Sequence, residues 1–144
     1  RSGANIIIGS HPHVLQPMNT VTDSSGFRNH VVWSMGNFVS NQRTRRRDGG
    51  AMIRMDITAR GDSAFVSDAG YVLTWVYTPV ENGKSKFYIL PCAEFEKRPE
   101  FFQTAGQYET MMTYVSDARR LLDNLNTGFR EMAWENGRWV TLNR

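Results

Sequence analysis

The apolar period of a helix appears in one stretch of the chain, residues 108–125. Apolar side chains recur there at steps of three and four residues, on one face of an amphipathic helix: Tyr108, Met111, Met112, Val115, Ala118, Leu122 and Leu125. Thr104, with Gln107 three residues later, predicts a capping box at its start, and Gly128 lies just past its end. A single long helix after a series of strand patterns predicts a β-rich fold.

The strand patterns begin close to the start of the chain. Residues 6–8 are an unbroken Ile-Ile-Ile run bounded by Gly9, which is typical of a strand buried on both faces of a parallel or mixed sheet. Residues 19–22 and 29–34 predict a hairpin, because the turn-forming residues 23–26 join them.

The middle and the tail of the chain predict further antiparallel strands. Residues 51–58 alternate, with three apolar side chains on one face: Ile53, Met55 and Ile57. Residues 70–78 and 86–90 are separated by Asn82-Gly83, a strong hairpin signal, and residues 134–142 predict a last strand. We therefore predict a β-rich α/β fold, similar to an α+β unit, with mixed and antiparallel sheets and one long C-terminal helix.

Length and composition set limits on the protein's class. The 144 residues, 40% of them hydrophobic, predict one domain over residues 1–144. Cys92 is the single cysteine, which excludes a disulfide scaffold, and no apolar run approaches the roughly 18 residues of a membrane span. No targeting segment precedes the abrupt apolar start. We therefore expect the chain to begin in the middle of a larger fold.

The segment after the first strand, residues 9–17, is the strongest candidate for chemistry. His11 and His13 lie two residues apart just past a strand's carboxyl end, where extended backbone can point both side chains the same way. Neutral imidazoles suit Zn, Mn and Fe. The alternative is a pair of surface histidines, but Pro12 and the preceding Ile-Ile-Ile-Gly favour a ligand pair.

The second candidate is Ser34-Met35-Gly36-Asn37-Phe38. A strand that ends in Gly36-Asn37 before a short helical turn offers backbone N–H groups and a side-chain amide, which can hold an anion or orient a neighbouring ligand. On local grounds an ordinary strand exit is the simpler interpretation.

Together the two segments resemble the bacterial capsule-synthesis family known as CapA, the poly-γ-glutamate biosynthesis proteins. Its members carry Gly-x-His-Pro-His-Val-x-Gln-Pro after a buried strand and, further on, Ser-Leu-Gly-Asn-Phe. Residues 9–17 and 34–38 match these patterns, with Met35 in place of Leu. The family is similar to the calcineurin-type metallophosphoesterases, so the resemblance implies part of a four-layer α/β sandwich with a dinuclear metal site.

By that resemblance, His11 and His13 match the last metal-binding motif, and Asn37 lies near the same pocket. The family's earlier ligands are an Asp on the first strand, a Glu and an Asn-His motif, and this chain has none of them. The resemblance therefore implies a C-terminal portion, inactive alone, whose missing N-terminal half completes the site. It also implies a cell-envelope or extracytoplasmic location.

A basic run follows closely, with arginines at positions 43, 45, 46 and 47. Arg43 and Arg45, with Ser10, Gly36 and Asn37, are candidates for binding an anionic polymer or a phosphate-containing substrate. The alternative is a mobile, solvated loop. We predict no nucleic-acid binding, because no aromatic residue interleaves the run. His30, inside a predicted strand, is expected to be structural.

Two functions remain open at this point. The first is the C-terminal part of a metal-dependent phosphoesterase-like protein of capsule or poly-γ-glutamate biosynthesis, which supplies the His-x-His loop. The second is a non-catalytic binding or assembly module for a cell-surface polymer, supported by the basic loop and the aromatic strands. In either case we expect an open sheet edge at residues 6–8, which invites self-association.

Overall fold

The computed structural model describes residues 4–143, and its first sheet has three strands. These are β1 (Ile6–Ile8), β2 (Met18–Thr22) and β3 (Arg28–Val32), in the order β1-β3-β2. β1 runs parallel to β3, and β2 pairs antiparallel with β3, so the sheet is mixed. The Asp23 carboxylate accepts the backbone N–H groups of Ser25 and Phe27 and closes the predicted β2–β3 hairpin.

The prediction that β1 is buried on both faces is wrong for the part of the chain described. Ile7 and Ile8 are each 51% exposed, and β1 ends the strand order, with β3 as its one pairing partner among residues 4–143. The apolar run does form a strand, since β-branched residues fit a pleated backbone. Burial, by contrast, needs a covering layer, and residues 4–143 do not supply one.

The second sheet is built on β5 (Ser63–Tyr77), which pairs antiparallel with β4 (Gly49–Arg60). β8 (Tyr88–Pro91) pairs antiparallel and β9 (Arg130–Glu135) parallel with β5. β10 (Arg138–Thr141) extends the sheet beyond β9. The predicted tail strand is therefore confirmed as β10, whereas β9 was not predicted.

The predicted apolar face of β4 is wrong near the C-terminal end of the strand. Ile53 and Met55 pack against the core as expected, but Ile57 is 64% exposed. The β4–β5 register shifts between Asp56 and Ile57, and such a bulge turns the following side chains away from the core face. Alternation in the sequence therefore predicted the strand and missed the bulge.

The predicted Asn-Gly turn is confirmed. β6 (Val80–Glu81) and β7 (Lys84–Ser85) form a short hairpin around Asn82 and Gly83, both with positive φ as a tight hairpin turn requires. The strand that follows begins at Tyr88, two residues later than the sequence pattern indicates.

The helical part consists of α1 (Cys92–Phe95), a 3₁₀ turn at Pro99–Phe101 and the long helix α2 (Ala105–Leu125). The predicted capping box is present, because Thr104 and Gln107 exchange side-chain-to-backbone hydrogen bonds. α2 ends at Leu125, the last residue of the predicted apolar face, where the Asn126 N–H donates to the Leu122 carbonyl, and Gly128 lies three residues past this end. Among the described residues, no helix is both long and apolar enough to cross a membrane.

The core lies between α2 and the middle of the second sheet. Every residue of β5 from Ala69 to Tyr77 is buried. From the helix side, the Tyr114 hydroxyl donates to the Gly50 carbonyl at 2.6 Å, and Arg119 forms ion pairs with Glu96 at 2.7 Å and Glu131 at 2.9 Å. These contacts fix α2 over the start of β4 and against β9.

The aromatic residues of β5 and the fold class complete this description. Trp75 and Tyr77 could line a binding face or form cross-strand aromatic pairs, of which pairing is the commoner; both are buried in the core, and the Tyr77 ring lies 6.5 Å from that of Tyr88 on the paired strand β8. The β-rich character, the mixed and antiparallel sheets and the single long helix are confirmed. The single-domain organisation over residues 1–144 stays a prediction.

Candidate functional site

The loop after β1 is fixed by backbone hydrogen bonds to the segment that follows β3. The Gly9 N–H donates to the Val32 carbonyl at 2.8 Å, the Met35 N–H to the Gly9 carbonyl at 3.0 Å, and the Gln16 N–H to the Ser34 carbonyl at 3.1 Å. The two segments singled out in the sequence, residues 9–17 and 34–38, therefore lie side by side.

His13 and Asn37 are the side chains through which these segments meet. The Nδ1 atom of His13 lies 2.7 Å from the Oδ1 atom of Asn37. Asn37 is buried, and its Nδ2 donates to the Arg47 carbonyl at 2.7 Å and to the Gln42 side chain at 3.1 Å. A carbonyl oxygen can only accept, so the nitrogen of the Asn37 amide faces Arg47 and the oxygen faces His13.

This network assigns the tautomer of His13. Because Oδ1 of Asn37 accepts, Nδ1 of His13 carries the hydrogen and donates it, which leaves the lone pair of a neutral ring on Nε2. A histidine that donates from one ring nitrogen to a neighbouring oxygen presents the other as a metal ligand in an orientation fixed by that hydrogen bond. Asn37 thus leaves the lone pair of His13 on Nε2, the atom that would accept a metal ion or a proton.

Backbone strain is concentrated at the same place. Among residues 4–143, four residues other than glycine have positive φ. Asn82 and Asn136 occupy hairpin turns, where asparagine is common, but His13 at 59° and Arg46 at 71° have no such reason. Strained backbone of this kind persists where the surrounding structure enforces it and is frequent at functional sites.

Gly36 and Asn37 also form a backbone junction. Gly36 forms an isolated bridge with Gly50, and its φ is +72°. A Cβ at Gly36 would lie 3.0 Å from the Gly49 carbonyl oxygen and 3.2 Å from the Leu15 nitrogen, so only glycine fits without displacement. This residue joins the loop after β1 to the start of β4.

The backbone donors of the junction are already engaged. The Gly36 N–H donates to the Ser34 hydroxyl at 3.2 Å, and the Asn37 N–H to the Gly49 carbonyl at 3.1 Å. The helical turn expected after Asn37 is absent, because residues 38–48 are irregular. Anion binding at Gly36 and Asn37 stays a prediction. Their two backbone N–H groups do not support it, because both already donate within the protein.

The arginine run is held against α2. Arg45 donates to both carboxylate oxygens of Asp117, at 2.7 and 2.9 Å. The hydrogen bond from Arg45 is the main reason that the pKa of Asp117 lies below its ordinary value, and the same bond raises the pKa of Arg45. Arg120 donates to Asp117 at 2.8 Å, and Arg46 lies 3.7 Å from it. Three guanidinium groups therefore surround one carboxylate.

Arg43 lies apart from this cluster. Its guanidinium is stacked over the Trp75 ring, 5.3 Å from the centroid. Burial lowers the pKa of Arg43, and the nearby carboxylate of Asp48 works in the opposite direction. The Trp75 indole donates to Asp48 at 2.9 Å, so Arg43, Trp75 and Asp48 form one unit.

The remaining candidates are placed as follows. His11 and Ser10 are exposed, and the Ser10 carbonyl accepts the His13 N–H at 3.4 Å. Among residues 4–143, no three His, Cys, Asp or Glu side chains converge to hold a metal ion. The structure thus brings His13 and Asn37 together, while exposed His11 lies two residues before His13 in the same loop.

His30 has a structural setting. It is buried, its Nδ1 lies 3.1 Å from the Thr20 hydroxyl, and its ring packs edge-on against Phe129. Burial and then the charge of Arg28 lower the pKa of His30, so the neutral form is favoured.

Asp117 is the residue that the sequence pattern missed. A single carboxylate beside Ala118 gives no periodic signal that could have identified it.

Comparison with known proteins agrees with the motifs. Residues 1–42 match the family described as "Bacterial capsule synthesis protein PGA_cap". Both motif segments lie within this match, so the resemblance to CapA-type capsule synthesis proteins is confirmed over the N-terminal part of the chain.

A particular relative extends this comparison. The chain is similar to the "PGA biosynthesis protein CapA" of Bacillus subtilis (strain 168), with 34% identity over 64 residues, which are 44% of this chain and 16% of that protein. The matched part therefore spans about a sixth of the relative's length. No solved structure matches the chain.

Proposed function

We propose that this chain supplies the His-x-His loop of a divalent-metal site in a phosphoesterase-like protein of capsule or poly-γ-glutamate biosynthesis. The observation that carries the proposal is the 2.7 Å contact between Nδ1 of His13 and Oδ1 of Asn37. It couples the two motifs that the capsule-synthesis family shares and leaves Nε2 of His13 ready to bind a metal.

The ligands that this chain would contribute are His11 and His13. Imidazole nitrogens suit Mn, Zn and Fe, and the further ligands would come from other parts of the whole protein. A metal pair held there would polarise a phosphoryl group and lower the pKa of a bound water. Two histidines alone leave most coordination positions to solvent, so this chain by itself binds metal weakly and is catalytically inactive.

The substrate we propose is anionic, either a phosphate-containing molecule or an acidic polymer. Support comes from the arginines that follow Asn37, because Asn37 itself donates to the Arg47 carbonyl and holds their loop beside the metal-binding loop. Arg45 pairs with Asp117 and Arg43 stacks on Trp75, and from these positions the two arginines, with Ser10 at the loop's start, would supply positive charge and a hydroxyl to such a substrate. The low net charge of +3 fits this better than nucleic-acid binding.

The wider setting follows from the relatives. The capsule-synthesis match favours a place at the cell envelope. We further propose that the two sheets and α2 are part of a four-layer metallophosphoesterase-like sandwich. The exposed β1 edge would be completed by strands from another part of the fold, such as an N-terminal half.

Metal titration by calorimetry tests the proposal. Mn²⁺ and Zn²⁺ are titrated into this chain and into the His11→Ala/His13→Ala variant, with Ser24→Ala in the exposed β2–β3 turn as the control. We expect weak binding that the double variant loses and the control keeps. Asn37→Ala should lower the affinity by about 10- to 100-fold. Binding indifferent to both histidines would contradict the proposal.

A second candidate function is a non-catalytic assembly module for a cell-surface polymer. The observation that favours it is β1, whose exposed Ile7 and Ile8 lie on an outer strand of the first sheet. An exposed apolar edge can pair with a strand of another chain. Light scattering should show association that rises with protein concentration and that Ile7→Lys abolishes. A monomer at every concentration would count against this function.

A further inference from the structure

We propose that the groove between the loop after β1 and helix α2 binds an aliphatic carboxylate, with its carboxylate on Arg46 and Arg120. This site is separate from the metal ligands and does not depend on a bound metal. The groove has a volume of about 470 Å³, within the range of small-ligand sites.

The long walls of the groove are apolar. One wall is Val14 and Leu15, directly after His13, and the other is the α2 face that carries Ala118, Leu121 and Leu125. Leu125 is 52% exposed at the end of the helix. When a hydrocarbon ligand covers the apolar side chains of the open groove, the free energy of binding improves by roughly 25 cal/mol for each Å² removed from water. The walls therefore select a ligand with an aliphatic body.

The charged end of the groove is built around Asp117. Its side chain is 7% exposed, whereas those of Arg46 and Arg120 are 66% and 65% exposed. Arg45 already occupies both oxygens of Asp117. Three guanidinium groups against one carboxylate leave two positive charges, and each guanidinium has five N–H donors. Arg46 and Arg120 can thus share a second carboxylate, supplied by a ligand.

The position of Arg46 is imposed by its backbone. Its φ of 71° is unusual for a residue with a long side chain. The turn is closed by the Arg47 N–H, which donates to the Thr44 carbonyl at 2.9 Å, while the Arg47 carbonyl accepts from Asn37. The strained residue thus lies at the rim of the groove, between the Asp117 cluster and the metal-binding loop. Strained backbone is frequent at ligand-binding sites, so the conformation of Arg46 supports a role in binding a ligand.

Simpler ligands would match either the arginines or the apolar walls of the groove, but not both. A short anion such as acetate would bind the arginines and leave the apolar walls exposed to water. An uncharged alcohol of the same length would cover the walls and give the two guanidinium groups no carboxylate beyond the one they share on Asp117. An aliphatic carboxylate satisfies both ends at once. Affinity should therefore rise about three- to fourfold for each added CH₂ until the groove is filled.

The test is calorimetric titration with decanoate, below its micelle concentration, beside decanol and acetate. The Arg46→Gln/Arg120→Gln variant should lower the affinity for decanoate by at least about tenfold and leave that for decanol unchanged. Leu121→Asn should weaken both, and the Arg60→Gln/Lys86→Gln variant, with two exposed side chains outside the groove, is the charge-matched control. Circular dichroism verifies folding, and NOEs from decanoate methylenes to Leu121 methyls locate the ligand.

Two results would overturn the proposal. One is decanoate affinity no greater than that of acetate, and the other is an equal affinity in the double arginine variant. His13→Ala should leave decanoate binding intact while it removes metal binding. Failure of the groove and failure of the metal site are therefore separate outcomes.

Discussion

The two sheets of this molecule contain similar apolar strands and differ in what covers them. β5 is buried throughout from Ala69 to Tyr77, with strands along its length and α2 packed against it. β1 is equally apolar, yet Ile7 and Ile8 are half exposed at the edge of its sheet. An apolar run thus determines that a strand forms. Whether that strand contributes stability depends on partners that only the whole fold supplies.

The largest expected contrast comes from matched truncations in the two sheets. Leu73→Ala removes a side chain that is 1% exposed and should lower the free energy of unfolding by about 2–5 kcal/mol. Ile8→Ala should cost less than about 1 kcal/mol, because much of its side chain stays in water. Urea denaturation measures both. Equal costs would show that β1 is covered in solution.

The junction between the sheets should be next in size. Gly36→Ala forces a Cβ against the Gly49 carbonyl at a positive φ and should cost about 1–3 kcal/mol. Gly61→Ala is the control: its φ is also positive, but a Cβ there meets nothing within 4 Å. The control should cost about 1 kcal/mol. Denaturant midpoints compare the two, and a smaller effect at Gly36 would refute a tight junction.

The buried His30 of the first sheet makes the stability of the protein depend on pH. Because burial lowers the pKa of His30 in the folded state, the unfolded chain binds its proton more readily. Stability should be constant above about pH 6.5 and fall below it, with a slope of up to about 1.4 kcal/mol per pH unit. Denaturation at pH 8, 6 and 5 measures this. In the His30→Gln variant the slope of the free energy of unfolding against pH should flatten. An unchanged slope would show that another group causes the pH dependence.

The smallest expected effect is at the start of α2. Thr104→Ala removes the side-chain acceptor of the capping box and should cost about 1 kcal/mol. Thr104→Ser, which keeps the hydroxyl, should cost less. Thermal unfolding followed by circular dichroism separates the two variants, and identical midpoints would mean that tertiary packing alone holds the helix start.

Local signals predicted most of the elements. The helix period at Met111 and Leu122 and the Asn82-Gly83 turn needed no tertiary information, because backbone geometry and side-chain period determine them. The exposure of Ile8 and the bulge before Ile57 depend on neighbours distant in sequence. For that reason they could not be inferred from the pattern.

The candidate site divides in the same way. The sequence identified His13 and Asn37 separately, each from its own motif. Their contact depends on how the segment after β3 folds beside the loop after β1, 24 residues apart. Asp117 was invisible because a single carboxylate on an apolar helix face has no periodic signature. Its role appears only when Arg45 reaches it across 72 residues of sequence.

The central claim is that Asn37 sets the tautomer of His13, and nitrogen NMR of the histidine ring tests it most directly. In the ¹⁵N-labelled chain at pH 8, we expect Nδ1 of His13 to be protonated and Nε2 to have the shift of an unprotonated nitrogen. In Asn37→Ala this preference should disappear, while exposed His11 is unaffected. A His13 ring protonated on Nε2 in the parent chain would contradict the account.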